Sequence, residues 1–132
     1  FADPPYSGVH YSRFYHCLET ITRGKEFEPE GVGRYPSLHE RPSSAFSKKS
    51  EAFEASRNLL LKCFERNAIL ILTFPEQGSN GLKATDFIDL GKKIYSRVNI
   101  EVVESDFSTL GGNKKNREAR QKCNELIMCF IP

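Results

Sequence analysis

The chain has 132 residues and a formal net charge of +2, which fits one domain or part of one. With 39% hydrophobic and 27% charged residues, the composition excludes a disordered tail and a fibrous chain. The charge alone does not argue for a polyanionic partner, and no run approaches the ~18 apolar residues of a membrane helix.

After a short stub, Phe1-Ala2, the chain enters Asp3-Pro4-Pro5-Tyr6. From Val9 to Ile21 the pattern is helical, with Tyr11, Phe14, Tyr15, Leu18 and Ile21 recurring at steps of three and four. Ser7 or Gly8 is placed to cap it. Residues 22–44 show no apolar period and hold Gly24, Pro29, Gly31, Gly33, Pro36 and Pro42. A connection this long is expected to be a functional loop or a mobile insertion. Within it, Gly31-Val32-Gly33 reads as loop glycines, because no strand precedes it and no helix follows closely.

Ser47 or Ser50 is expected to start a second helix that runs to about Arg66. Ala52, Phe53, Leu59, Leu60, Cys63 and Phe64 give it an apolar face, and Asn67 ends it. Ala68 to Phe74 is a continuous apolar run, the pattern of a buried strand in a parallel sheet. Gly81 to Val98 is expected as a third helix, with Leu82, Phe87, Ile88, Leu90, Ile94 and Tyr95 on its apolar face. Ile100–Val103 reads as a second strand, Asp106–Arg117 as a polar loop around Gly111-Gly112, and Leu126–Ile131 as a last strand. This alternation predicts an α/β sheet covered by helices.

Cys17, Cys63, Cys123 and Cys129 form no Cys-x-x-Cys pair and read as buried free thiols. That favours a reducing, cytoplasmic setting. His10, His16 and His39 lack metal-ligand spacing with them, so no metal is expected.

The tetrapeptide Asp3-Pro4-Pro5-Tyr6 resembles motif IV of the amino-methyltransferases, and Gly8 to Thr20 resembles the segment that follows it in adenine-specific DNA methyltransferases. The order of elements downstream fits the C-terminal half of that fold. The resemblance covers most of the chain but is sharp only over its first twenty residues. It implies an α/β fold, the C-terminal half of a Rossmann-like class I methyltransferase sheet (strands 4, 5, 7 and 6 of that sheet), with helices on both faces. Residues 1–132 would be the catalytic, motif IV part of the domain, with the irregular loop at about 22–44. The resemblance also implies methylation of the exocyclic amine of adenine in double-stranded DNA by S-adenosylmethionine.

In that chemistry Asp3 and the Pro4 carbonyl would accept the two N–H groups of the amine. They would draw its lone pair out of the ring for attack on the methyl group. Pro4 and Pro5 would stiffen the loop, and Tyr6 would stack on the flipped base. His10, Tyr11, Ser12 and Arg13 would line the base pocket, or merely start a buried helix.

Lys114, Lys115 and Arg117, with Arg120 and Lys122 against Glu118, carry a local charge of about +4. They are candidate phosphate contacts or a solvated surface. Arg34, Arg41, Lys48 and Lys49 could act likewise, with Tyr35 as a stacking group. The glycine-rich cofactor loop of the family is not in this sequence. Most of the cofactor site, and the complementary N-terminal half of the sheet, are therefore expected outside this chain, whose half-sheet would otherwise leave an apolar edge open. Two other readings stand beside this one. The chain could be a noncatalytic nucleic-acid-binding module derived from the methyltransferase fold. It could also be an unrelated α/β interaction module, since Ala68–Pro132 alone has the strand-helix-strand-helix-strand order of an anticodon-binding-type domain.

Overall fold

The structure is a computed structural model; it describes residues 1–6, 12–31, 35–41, 43–107 and 121–132, of which 12–14, 105–107 and 121–123 are described by backbone alone. Three helices and three strands follow in the order α1 (Ser12–Arg23), α2 (Ala52–Glu65), β1 (Leu70–Pro75), α3 (Ala84–Ile94), β2 (Arg97–Phe107) and β3 (Gln121–Ile131). Two single 3-10 turns, Leu38–Glu40 and Ala45–Ser47, lie between α1 and α2.

Helix α2 forms because Ala52, Ser56 and Leu60 repeat at four-residue steps and are buried, with Leu59 and Cys63 packed beside them. Its outer side carries Arg57–Glu54 and Lys62–Glu65 ion pairs at 3.5 and 2.7 Å, exposed pairs that add little. It begins later than the serines suggest: neither Ser47 nor Ser50 caps it, and Glu51 stands at the boundary without a side-chain cap bond. The end at Asn67 is a left-handed stop. Asn67 has φ +52°, its N–H donates to the Phe64 carbonyl at 2.8 Å, and Ala68 N–H donates to the Cys63 carbonyl at 2.9 Å.

Helix α3 is shorter than its apolar pattern at both ends. Asn80 and Gly81 have φ +52° and +81°, and Ser79 and Leu82 exchange backbone hydrogen bonds, so the chain is still turning there. The Asp86 carboxylate then accepts the Lys83 N–H at 2.8 Å in the first turn. At the other end Tyr95 leaves helical geometry and Arg97 opens β2.

The strands lie in the order β1-β3-β2, with β3 antiparallel to both neighbours. The apolar run was expected to pair in parallel; instead β1 is antiparallel to β3 and has one parallel bridge, Ala2 with Leu72, on its other side. Strands β2 and β3 pair over eleven residues, from Arg97 with Ile131 to Phe107 with Gln121, well beyond the apolar stretches that mark them in the sequence.

Register decides the two faces. Leu70, Leu72 and Phe74 of β1 align with Phe130, Met128 and Leu126 of β3. With Leu60, Ala84, Phe87 and Tyr95 they form the core cluster, so α2 and α3 pack on this face. Gly91 of α3 allows that approach, because a Cβ there would run into the Phe130 ring. The opposite face carries Ile71, Thr73 and Pro75 aligned with Cys129, Ile127 and Glu125. Helices were expected on both faces, yet Ile69 and Ile71 are 60% and 39% exposed. Among the described side chains of helix α1, Tyr15, Leu18 and Ile21 remain exposed. The thiols also differ from expectation, since Cys17 is exposed and Cys63 and Cys129 are half-buried. Among the described residues no helix is long and apolar enough to cross a membrane.

Candidate active site

The first six residues are tied to the end of β1. Ala2 N–H donates to the Ile71 carbonyl at 2.8 Å, and Thr73 N–H donates to the Ala2 carbonyl at 3.1 Å. This pairing sets Asp3 beside Thr73, whose hydroxyl donates to Asp3 Oδ1 at 3.0 Å. Thr73 is buried while Asp3 remains exposed.

Two prolines follow, and proline has no N–H. The polar groups of this turn are therefore mostly acceptors: the Asp3 carboxylate and the carbonyls of Pro4, Pro5 and Tyr6. Two of them are satisfied from distant segments. Ser47 Oγ donates to the Pro5 carbonyl at 2.9 Å, and Ser79 Oγ donates to the Tyr6 carbonyl at 2.7 Å. The segments that carry these serines are joined to each other, because Asn80 Nδ2 donates to the Phe46 carbonyl at 2.9 Å. Among the described residues none donates to the Pro4 carbonyl or to Asp3 Oδ2. One carboxylate oxygen and one carbonyl on neighbouring residues thus have no donor among the described residues, an arrangement that suits a ligand with two N–H donors.

Tyr6 is built into the core. It is 8% exposed. Its hydroxyl donates to the Thr73 carbonyl at 2.8 Å, and its ring meets Phe74 edge-on at 4.6 Å and Phe87 at 6.4 Å. Burial, and then the negative charges of Asp3 and Glu125, push its phenol above the ordinary range. Through these contacts Tyr6 anchors the motif to the core.

The remaining predicted residues fall elsewhere. Ser12 and Arg13 open α1, while His10, Tyr11, Arg34, Lys114, Lys115 and Arg117 lie outside the described residues. Tyr35 and Arg41 do come together, with the guanidinium 5.9 Å from the ring centroid and Arg41 Nε donating to the Pro36 carbonyl at 2.8 Å. The Tyr35 ring also meets His16 edge-on at 5.7 Å, so the pair belongs to the packing of the connection on α1. Lys48 pairs with Glu51 at 3.1 Å, which offsets the charge it would bring to a phosphate. A cleft of about 130 Å³ between α1 and the connection is lined by His16, Arg23, Phe27 and Glu40, among others. Its opposed charges, including an Arg23–Glu19 pair at 3.0 Å, select no one ligand class.

Sequence reasoning missed Thr73, Ser47 and Ser79. For Thr73 a signal existed: a hydroxyl inside the apolar run Ala68–Phe74 must find a partner once buried. The two serines sit in ordinary turn sequences, and nothing local sets them apart.

No family model matches the chain, and no solved structure matches it significantly. The modification methylase LlaI of Lactococcus lactis subsp. lactis is 25% identical over 131 residues, which is 98% of this chain and 20% of that protein. The chain thus spans about a fifth of the length of the curated relative it matches, and the likeness relates it to methylases.

Proposed function

We propose that this chain is the C-terminal, amine-holding part of an S-adenosylmethionine-dependent methyltransferase that modifies adenine in double-stranded DNA. The observation that carries the reading is the acceptor pair, Asp3 Oδ2 and the Pro4 carbonyl, on a turn fixed from β1 and from two distant serines. The likeness to a methylase, running through 98% of this chain, supports it. So does the lateral order Ala2 stub, β1, β3, β2 with β3 reversed, which is compatible with strands 4, 5, 7 and 6 of a class I methyltransferase sheet.

In this reading the two acceptors bind the two N–H groups of the exocyclic amine. They hold its nitrogen toward tetrahedral geometry, so that its lone pair leaves conjugation with the ring. The rigid turn keeps both acceptors in place as charge develops on the nitrogen. Among the described residues, the hydroxyls of Thr73, Ser47 and Ser79 are engaged with the motif itself. S-adenosylmethionine, which supplies the methyl group, is assigned to a part of the protein outside the described residues, as is the complementary N-terminal half of the sheet.

One observation favours a second reading, a noncatalytic DNA-binding module: Tyr6 of the motif is built into the core. The same experiment separates the two. In the full-length protein, Asp3→Ala should abolish methyl transfer to adenine in duplex DNA with the loss in kcat, while binding of the methyl donor persists. Turnover near wild type in that variant overturns the role of Asp3. A wild-type protein that binds duplex DNA but transfers no methyl group selects the noncatalytic module.

A further inference from the structure

Thr73 touches the first six residues three times: its N–H donates to the Ala2 carbonyl, its hydroxyl to Asp3 Oδ1, and its carbonyl accepts from the Tyr6 hydroxyl. The first and third contacts use the backbone and would survive any side chain that keeps the strand. Only the second depends on the threonine hydroxyl. It reaches across 70 positions of sequence to the one carboxylate of the turn, and it engages one of that carboxylate's two oxygens.

We propose that Thr73 is the positioning residue of this site: by holding Asp3 Oδ1 it fixes the rotation of the carboxylate and leaves Oδ2 as the oxygen that accepts the substrate N–H. The inference rests on the amine-holding reading of Asp3. An exposed aspartate without this bond would turn freely about its side-chain torsions. A misplaced acceptor is costly, since an error near 1 Å in a reacting group can lower a rate by about 100-fold. The burial of Thr73 keeps water from competing for its hydroxyl.

The test is Thr73→Val beside Thr73→Ser in the full-length protein, with steady-state methyl transfer to adenine-containing duplex DNA and the unfolding midpoint as readouts. Valine keeps the shape and both backbone contacts but lacks the hydroxyl; serine keeps the hydroxyl. The expected result is a kcat about 10- to 100-fold lower for Thr73→Val, with KM for DNA and for the methyl donor unchanged, and recovery of most of that loss in Thr73→Ser. A kcat within about two-fold of wild type for Thr73→Val overturns the proposal, as does a Thr73→Ser variant as slow as Thr73→Val. If Asp3→Ala abolishes turnover while Thr73→Val is neutral, the amine-holding reading stands and the positioning role alone falls. A wild type that transfers no methyl group overturns both.

Discussion

Two irregular, proline-bearing segments of this chain are held in opposite ways. Asp3–Tyr6 is fixed by partners 42 to 73 positions away: Ser47, Thr73 and Ser79. The described part of the 24–41 connection is held by short-range bonds, a Glu30–Tyr35 bridge, Ser37 Oγ donating to Glu40 Oε2 at 3.0 Å and Arg41 Nε donating to the Pro36 carbonyl, and by ring contacts of Phe27 and Tyr35 with His16 of the neighbouring α1. A segment bound from a distance cannot move without opening the core, whereas one held at short range can move as a unit. Under the proposed function, the first arrangement suits acceptors that must not reorganise. The second suits a surface that meets a partner.

The widest test of that contrast removes the anchor. Tyr6→Ala deletes the ring that packs on Phe74 and Phe87 and should lower unfolding free energy by about 3–5 kcal/mol. Tyr6→Phe keeps the ring, leaves the Thr73 carbonyl without the phenol, and should cost about 1 kcal/mol. Denaturant unfolding measures both, and equal losses in the two variants would show that the ring packing contributes nothing.

An alkaline titration gives an intermediate effect. The Tyr95 phenol, buried and donating to the Leu60 carbonyl at 2.7 Å, is pushed up to about 12, first by burial and then by Cys63. Tyr6 is shifted in the same direction. Both are acids whose folded pKa exceeds the unfolded value of about 10. Their contribution to stability is therefore complete below pH ~10 and is lost as pH rises toward the folded values. Unfolding midpoints should fall through this window. Replacing both tyrosines by phenylalanine should flatten the fall, and an unchanged slope would remove these two phenols as its cause.

The smallest effect belongs to the segment held at short range. Arg41→Ala loses one hydrogen bond and a contact with the Tyr35 ring at a half-exposed site, and should cost less than about 1 kcal/mol. A loss larger than that of Tyr6→Ala would reverse the ranking of the two segments.

Much of the scaffold could be read from residue order because its signals are local. The four-residue repeat of α2, the stop at Asn67 and the apolar run of β1 each declare themselves within a few positions. The long arms of β2 and β3 do not. Around Glu104 and Asn124 the strands are held by backbone pairing rather than an apolar pattern, so only their apolar stretches are visible. The site was half legible. Asp3, the prolines and Tyr6 stand out as a motif, but the packing of the Tyr6 ring on Phe74 and Phe87 has no sign in the sequence. Thr73 shows only as a hydroxyl in an apolar run, without its partner, and Ser47 and Ser79 do not show at all, because contacts between residues so far apart leave no spacing to recognise.

The outermost strand of the described sheet, β2, has a consequence for how the chain behaves among its own copies. Among the described residues none pairs with its other side, which runs along eleven residues, long enough to recruit a second strand. Arg97, Glu101 and Glu104 are all exposed along it. A copy docking antiparallel there would bring charged side chains within about 5 Å of these, and the carboxylates would repel any register that sets them opposite each other. Ile100, Val102 and Val103 are exposed on the same strand, so it is these charges that oppose edge-to-edge pairing there. Replacing Glu101 and Glu104 with threonine or valine would turn a solvated border into a template for β-sheet growth.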